Sequence, residues 1–98
     1  FMPTDHKADA AFLQAIAEPN RIAIIKSLAQ GSKNVTELAK ELNVEIVNVS
    51  HHLGVLRTSG LVKDEKHGRF VVYELVDATV KANVLFLKRG DTTVEFAL

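Results

Sequence analysis

Two adjacent histidines stand in the stretch NVSHHLGVLRTSG, residues 48–60, directly after a serine. Histidine nitrogens can bind a metal ion, act as a general base or hydrogen-bond to a partner. Neighbouring side chains on a helix diverge by about 100°, so His51 and His52 are poorly placed to chelate one ion. No carboxylate or thiol stands at ligand spacing from any of the four histidines, which are His6, His51, His52 and His67. We therefore predict that the chain holds no metal site.

A catalytic role for the same stretch is also disfavoured. Ser50 and His51 have the residue types of a nucleophile and its base, but no third group or glycine-built oxyanion loop accompanies them. The chain has no cysteine, which excludes disulfides, thiolate metal sites and cysteine nucleophiles. The sequence therefore predicts neither an enzyme nor a bound cofactor, and the histidines are left to pack or to contact a partner.

Length and charge fit one ordered domain over residues 1–98. Twelve basic and 12 acidic residues give a net charge of zero, so nucleic-acid binding would depend on where the charges point and on symmetry between subunits. The polar opening FMPTDHKADA has no signal-peptide or membrane-span pattern. We expect a cytoplasmic protein with no membrane partner.

Apolar spacing predicts three helices before the histidine pair. The first covers about residues 5–17, with Thr4 or Asp5 as its N-cap. The second begins at Pro19, and the third begins with Thr36 as its cap. The residues expected on the inner faces are Ala8, Phe12, Ala15 and Ile16, then Ile22, Ile25 and Leu28, then Leu38, Ala39 and Leu42.

A fourth helix should start near residue 44 or 45 and end at Thr58, so the third and fourth helices form a helix-turn-helix over about residues 36–58. His52 lies on the flank of this helix, and we expect it to hydrogen-bond toward the third helix or toward a wing formed by the residues that follow. Its expected core face is formed by Ile46, Val49, Leu53 and Leu56, and its outward side by Val47, His51 and Gly54. Asn48 and Ser50 are expected on the shoulders between these two faces.

A β pattern follows over about residues 61–76, with two runs around His67 and Gly68 that predict a hairpin wing. The segment DATVKANVLFLKR predicts a last helix over 77–89 with Asp77 as its N-cap. It is apolar on most sides, so we expect it to pack, beside the first helix, on a second copy of the chain; the alternative is that it crosses its own core. The tail TTVEFAL fits a short strand or an extended arm.

These elements predict an α+β fold, mainly α with a small β-hairpin wing. The expected architecture is a winged helix-turn-helix with five helices, in the order α-α-α-α-β-β-α, which dimerises through helices at about residues 5–17 and 77–89.

Over about residues 12–76 the chain resembles winged helix-turn-helix repressors of the ArsR/SmtB type. Those proteins show the patterns A(D/E)PxRxxIL, ELA, VSxHLxxLxxAGLV and GRxxxYxL, and the counterparts here are residues 17–25, 37–39, 49–62 and 68–75. The resemblance implies a homodimeric bacterial transcription regulator that binds an imperfect palindrome in double-stranded promoter DNA and usually represses.

In a winged helix-turn-helix the outward N-terminal half of the recognition helix enters the major groove. Asn48 suits adenine, Ser50 and His51 suit a base edge or a phosphate, and Val47 suits a thymine methyl. Phosphate contacts are expected from Arg57, Lys63, Lys66, His67 and Arg69, of which Arg69 at the wing tip can also enter a minor groove. Asp64 and Glu65 oppose these cations within the same hairpin.

The chain departs from the family pattern in its charges and its metal motifs. Glu45 and Ile46 replace a small cap and a glutamine that make the usual base contact, and Gly54 replaces a commonly basic residue that contacts a phosphate. Because the net charge is zero, we expect modest affinity and a shallow salt dependence. The stretch NVTEL lacks the family's Cys-x-Cys, and the last segment offers a poor second ligand set, namely Asp77, Thr79, Asn83 and Lys88. An effector would be a small molecule or a protein near the first and last helices. The alternative function is a winged-helix module that binds another protein and has weak or no DNA affinity.

Overall fold

The computed structural model describes residues 6–98 as four α-helices and six β-strands. The helices are α1 (His6–Ile16), α2 (Pro19–Leu28), α3 (Val35–Leu42) and α4 (Ile46–Thr58). The strands are β1 (Lys33–Asn34), between α2 and α3, and then β2 (Val62–His67), β3 (Phe70–Leu75), β4 (Ala78–Lys81), β5 (Val84–Arg89) and β6 (Thr92–Ala97). Thr4 and Asp5, the N-caps predicted for the first helix, lie outside the described residues.

Side-chain caps fix where α2 and α3 begin. The Glu18 carboxylate accepts a hydrogen bond from the Arg21 amide at 2.9 Å, ahead of Pro19 in the first turn of α2. The cap of α3 is Asn34 and not Thr36 as predicted, because Asn34 forms a capping box with Glu37 through bonds of 2.8 and 2.9 Å. A short turn then leads into α4, so the predicted helix-turn-helix is confirmed.

One core joins all four helices to residues of β2 and β5. Its buried members are Phe12, Ala15, Ile16, Ile24, Ile25, Leu28, Leu38, Ala39, Val49, Leu53, Leu56, Leu61, Val62, Leu85 and Leu87. Two predicted core residues are exposed instead: Ala8 on α1, and Ile46, which is 52% exposed. Helical side chains lean toward the N-terminus, so Ile46 at the first position of α4 projects past the end of the packed helix.

The wing is a three-stranded antiparallel sheet with the order β1-β3-β2. Strands β2 and β3 pair from Val62 with Leu75 to His67 with Phe70, which leaves Gly68 and Arg69 as a two-residue turn. Gly68 has a φ of 63°, a left-handed conformation that glycine adopts without strain. The predicted hairpin is confirmed, and β1 extends it by one short strand.

The last helix predicted over 77–89 does not form. Strands β4, β5 and β6 make a second antiparallel sheet in that order, here called the C-terminal sheet. The observed fold is therefore a winged helix-turn-helix with four helices and six strands among residues 6–98, not five helices with a single hairpin. The predicted tail strand is present as β6, and it pairs with β5 of its own chain.

Turn residues explain this correction. Ala82 and Asn83, read as helix interior, have φ values of 52° and 61° and form the two-residue turn between β4 and β5. Gly90, read as a helix stop, has a φ of 56° in the turn between β5 and β6. Asp77, the predicted N-cap, has a φ of 51°, which is incompatible with an N-cap because that position takes an extended backbone.

The C-terminal sheet covers the core of its own chain. Leu85 and Leu87 alternate along β5 on one face of the sheet, and both are fully buried in the common core. At the end of β5, the Arg89 guanidinium donates to the Ser59 carbonyl at the C-cap of α4. An apolar helix that needs a second copy of the chain for cover is therefore absent, and no dimerisation helix exists over 77–89.

A polar network joins α2, β1 and α3 beneath the wing. The Lys33 ammonium lies 2.8 Å from Glu41 Oε1 and donates to Ser27 Oγ at 2.7 Å, while the Ser27 hydroxyl donates to Glu41 Oε2. Ser27 is 5% exposed. The hydrogen bonds from Lys33 and then Ser27 hold the pKa of the Glu41 carboxyl below its ordinary value of 4.5.

We expect Glu41→Gln to lower the free energy of unfolding at pH 7 by about 1 kcal/mol, a modest value because the Glu41 side chain is 42% exposed. Since folding lowers the pKa of Glu41, its contribution is present above the unfolded-state pKa and is lost as pH falls through the folded-state value. The difference between wild type and variant should therefore shrink below about pH 4. Urea unfolding across pH measures this, with Glu95→Gln as an exposed control. A difference that stays constant down to about pH 2.5 would contradict it.

Candidate nucleic-acid interface

The apolar side of α4 fixes which residues the helix presents to solvent. Val49, Leu53 and Leu56 are fully buried, which confirms three of the four predicted core positions. They lie one turn apart on the face toward the other helices. The opposite face of α4 is therefore held outward as a unit, and Glu45 at its start makes no side-chain capping bond.

The exposed N-terminal half of α4 carries the four residues predicted to read bases. Val47 is 75% exposed, and Asn48, Ser50 and His51 are also exposed. A shallow open cleft of about 460 Å³ continues along the helix, lined by Ser50, His51, Gly54, Val55, Arg57, Thr58 and Ser59. The surface thus offers amide, hydroxyl and imidazole groups beside an apolar side chain, which are the groups that base edges can pair with.

The two histidines diverge as predicted. Their ring centroids are 5.5 Å apart and the ring planes are inclined by 59°. His51 is exposed, whereas the His52 side chain is 13% exposed and its Nδ1 lies 3.3 Å from Arg21 Nη1 and 3.6 Å from Glu18 Oε2. The partner of His52 is therefore the start of α2, not the third helix or the wing, because Arg21 reaches across from the junction of α1 and α2.

Three of the five predicted phosphate-binding cations lie close to acids. Lys63 lies 3.1 Å from Glu74 across the hairpin, and Arg57 of α4 lies 3.3 Å from Asp64 of β2. His67 lies 3.8 Å from Glu65. All these side chains are at least one-third exposed, and such surface pairs are worth only about 0–1 kcal/mol. A phosphate could therefore displace the acids at low cost, but the pairs lower the positive potential of the surface.

The wing tip is more apolar than predicted. Within the described chain, Lys66 and Arg69 make no ion pair. The Arg69 guanidinium lies 5.7 Å from the Phe70 ring centroid, and Phe70 and Val71 are 54% and 39% exposed. Neither apolar residue was among the predicted site residues, because the wing was expected to contribute only its cations. The signal was the dipeptide Arg69–Phe70 directly after the turn glycine.

Across residues 6–98, no three His, Asp or Glu side chains come together as a metal-binding group. None of the helices in that range is long and apolar enough to cross a membrane. Ser50 makes no hydrogen bond to His51 there, so the exposed face presents contact groups and no nucleophile paired with a base.

A sequence model of the bacterial regulatory proteins of the arsR family matches residues 18–64, which contain α2, α3, α4 and the start of the wing. The chain is 43% identical over 81 residues to the HTH-type transcriptional regulator NmtR of Mycobacterium tuberculosis (strain ATCC 25618 / H37Rv), covering 80% of this chain and 68% of NmtR. It is 44% identical over 71 residues to the HTH-type transcriptional repressor SmtB of the same strain, covering 70% of this chain and 53% of SmtB. The chain thus spans about half the length of that second relative.

Among solved structures, the chain is similar to the homodimeric winged helix-turn-helix DNA-binding domain (fragment 1–100) of Mb0332 from Mycobacterium bovis, a possible ArsR-family transcriptional regulator. The TM-score is 0.68 at 27% identity, over 74% of this chain and 72% of that one. Both sequence relatives are transcriptional regulators and not enzymes. With a winged helix-turn-helix, an outward recognition surface and matches of this extent, the chain belongs to the arsR family of bacterial regulatory proteins.

Proposed function

We propose that the chain is a sequence-specific repressor that binds an imperfect palindrome in promoter DNA as a homodimer, with α4 in the major groove. The observation that carries this proposal is the exposed face of α4, where Val47, Asn48, Ser50 and His51 are held outward by the buried face behind them. In a helix-turn-helix this half of the second helix contacts base edges. Repression is supported by the name of the relative SmtB, a transcriptional repressor.

Each exposed residue of α4 has a role that its chemistry permits. Asn48 forms a bidentate pair with adenine, Val47 contacts a thymine methyl, and Ser50 and His51 bond to a base edge or a phosphate. The cations of α4 and the wing contact phosphates and set the register on the duplex; they are Arg57, Lys63, Lys66, His67 and Arg69. Arg69, beside Phe70 at the wing tip, enters the adjacent minor groove.

The homodimer forms through α1 in this proposal. Leu13 is 45% exposed on that helix, and it is accompanied by the exposed small residues Ala10, Ala11 and Ala17, which allow close approach of a second copy. For both copies of α4 to enter successive major grooves, a two-fold axis there must place them about 34 Å apart. The similar Mb0332 domain is homodimeric. An effector, a small molecule or a protein, would act by changing this spacing.

His51→Ala should weaken binding to the DNA upstream of the gene for this chain by about tenfold, because a base-edge contact is worth about 1–3 kcal/mol. Gel retardation at low salt measures this, with His6→Ala as the control that removes an exposed histidine outside α4. Equal binding by His51→Ala and wild type would remove His51 from the interface. Absence of any wild-type retardation above that of unrelated DNA would refute the repressor function.

A second function, a winged-helix module that binds another protein, is favoured by three observations. The net charge is zero, Gly54 offers no cation, and Ile46 and Val47 are 52% and 75% exposed. Large exposed apolar side chains at the start of a helix can contact a protein partner as well as a thymine methyl. In the same gel experiment, this function predicts no specific retardation of the upstream DNA.

A further inference from the structure

One guanidinium connects the end of α1 to the recognition helix. Arg21 Nε donates to the Ala15 carbonyl at 2.5 Å, and Nη2 donates to the Gln14 carbonyl at 3.2 Å. These carbonyls belong to the last turn of α1, where helix carbonyls lack partners within the helix. The remaining arm, Nη1, lies 3.3 Å from His52 Nδ1 on α4. The planar fork of arginine can make all three contacts at once.

This link is distinctive among the contacts of α4. Within the part of the chain that the structure describes, the Arg21–His52 contact is the only side-chain hydrogen bond between α4 and another helix. The rest of the helix packs through Val49, Leu53 and Leu56, and apolar burial is non-directional. The contact between Arg21 and His52 therefore adds a directional restraint on how α4 is rotated and placed relative to α1.

The contact also assigns a role to one nitrogen of the His52 ring. Because an arginine nitrogen only donates, His52 Nδ1 is the acceptor in this contact. Glu18 Oε2 lies 3.6 Å from the same Nδ1 and already caps α2 through the Arg21 amide. Among residues 6–98, Arg21 and Glu18 are the only charged groups in polar contact with this ring, and His51 is its neighbour on α4.

We propose that Arg21 and His52 are positioning residues for operator recognition, which hold α4 at a fixed placement relative to the dimer helix α1. The inference rests on the proposed function. If α1 carries the two-fold axis, a change in the placement of α4 alters the spacing of the two recognition helices. Specific binding should then weaken, while general attraction to phosphates is kept.

The test uses the full chain and two duplexes of equal length: one selected by the wild type from a random-sequence pool, and one unrelated. His52→Leu removes the acceptor, whereas His52→Asn keeps an amide oxygen near the position of Nδ1. We expect His52→Leu to lose about tenfold in affinity for the selected duplex and little for the unrelated one. His52→Asn should bind both duplexes as the wild type does.

Rescue by the conservative variant separates positioning from a merely structural role. Wild type, His52→Leu and His52→Asn all retain His51 and His67, so the ratios of their affinities isolate residue 52. His52→Asn should recover the preference for the selected duplex that His52→Leu loses, because asparagine keeps an acceptor for Arg21 and leucine does not. In a double-mutant cycle, His52→Leu should cost little further affinity once Arg21→Met has removed the donor.

Several outcomes would overturn the inference. These are equal selectivity of folded His52→Leu and wild type, additive losses in the cycle, or a loss of selectivity in His52→Asn as large as that in His52→Leu. If His52→Leu fails to fold by circular dichroism, Arg21→Met takes its place: it should lose the same selectivity, and a folded Arg21→Met as selective as the wild type would overturn the inference. A wild type that selects no duplex refutes the proposed function itself, which is distinguishable from a wild type that selects DNA without needing His52.

Discussion

Replacing Leu87 by alanine is expected to lower the free energy of unfolding by about 3 kcal/mol, within the usual range for a leucine in a packed core. Leu87 is fully buried in the centre of the C-terminal sheet and belongs to the same cluster as the helix residues. The removed methyl groups leave a cavity that β5 cannot close, because it is hydrogen-bonded on both sides by β4 and β6. For a domain of this size, the loss corresponds to a fall in melting temperature of more than about 10 °C.

The matched control is Val80→Ala on β4 of the same sheet, where the side chain is 48% exposed. It should change the stability by less than about 1 kcal/mol. Thermal and urea unfolding at two protein concentrations test a further point. If residues 77–89 were a helix between two copies, the effect of Leu87→Ala would depend on concentration. We expect a loss that is the same at both concentrations, and a loss under about 1 kcal/mol would contradict the burial of Leu87 within its own chain.

The order of helices and wing strands over residues 6–76 was largely predictable, because local chemistry and the apolar period agree there. Pro19 marks the start of α2, and the polar turn residues between the helices predict the helix-turn-helix. Gly68 marks the hairpin, and its positive φ is what the turn requires. When each local choice supports the same fold, a sequence can be interpreted without knowledge of long-range contacts.

The C-terminal segment was misassigned because its apolar residues fit both the period of a helix and the period of a strand. Val80, Val84 and Leu87 lie on one helical stripe, yet Leu85 and Leu87 also alternate as a strand. The decision between the two depended on Ala82, which takes a left-handed conformation that a sequence pattern does not suggest for alanine. Burial against the helices stabilises the sheet, and that long-range term was not visible in the local pattern.

The candidate site also has features that the sequence predicts and features that it does not. The outward direction of His51 and the inward direction of His52 follow from 100° per residue and could be derived in advance. The identity of the His52 partner could not, since Arg21 is 31 positions earlier in the chain. The ion pair of Lys63 with Glu74 likewise depends on the register of β2 and β3. The direction of a side chain on its helix was predictable from local geometry, whereas its hydrogen-bond or ion-pair partner required the tertiary structure.

The distribution of charge bears on how strongly this surface can hold DNA. The pairs of Arg57 with Asp64 and Lys63 with Glu74 neutralise cations within the candidate interface. Lys66 and Arg69 are left as the cations of the site without an ion pair among the described residues. If the chain binds DNA as proposed, few phosphates are contacted per copy, and the logarithm of the affinity should fall gently with the logarithm of the salt concentration.

Gly54→Arg is therefore expected to raise affinity for DNA by about fivefold to tenfold at 0.1 M salt, by adding one phosphate contact per copy. An ideal Cβ at Gly54 meets nothing within 4 Å and the residue has no positive φ, so a side chain fits without strain. Gly54 also lines the open cleft beside His51 and Arg57, which places a new guanidinium on the proposed DNA side. The salt slope should steepen by about 0.9 for each added contact.

Two neutral variants separate charge from helix formation at this position. Gly54→Ala should stabilise the protein by about 0.5–1 kcal/mol, because glycine is a poor residue inside a helix, and should leave the salt slope unchanged. Gly54→Gln adds a long side chain without charge. Equal affinities and slopes for Gly54→Arg and Gly54→Gln would mean that position 54 does not face phosphates. A loss of binding shared by the Ala, Gln and Arg variants would mean that the backbone of α4 approaches DNA too closely at Gly54 for any side chain, so that this glycine is part of the recognition surface.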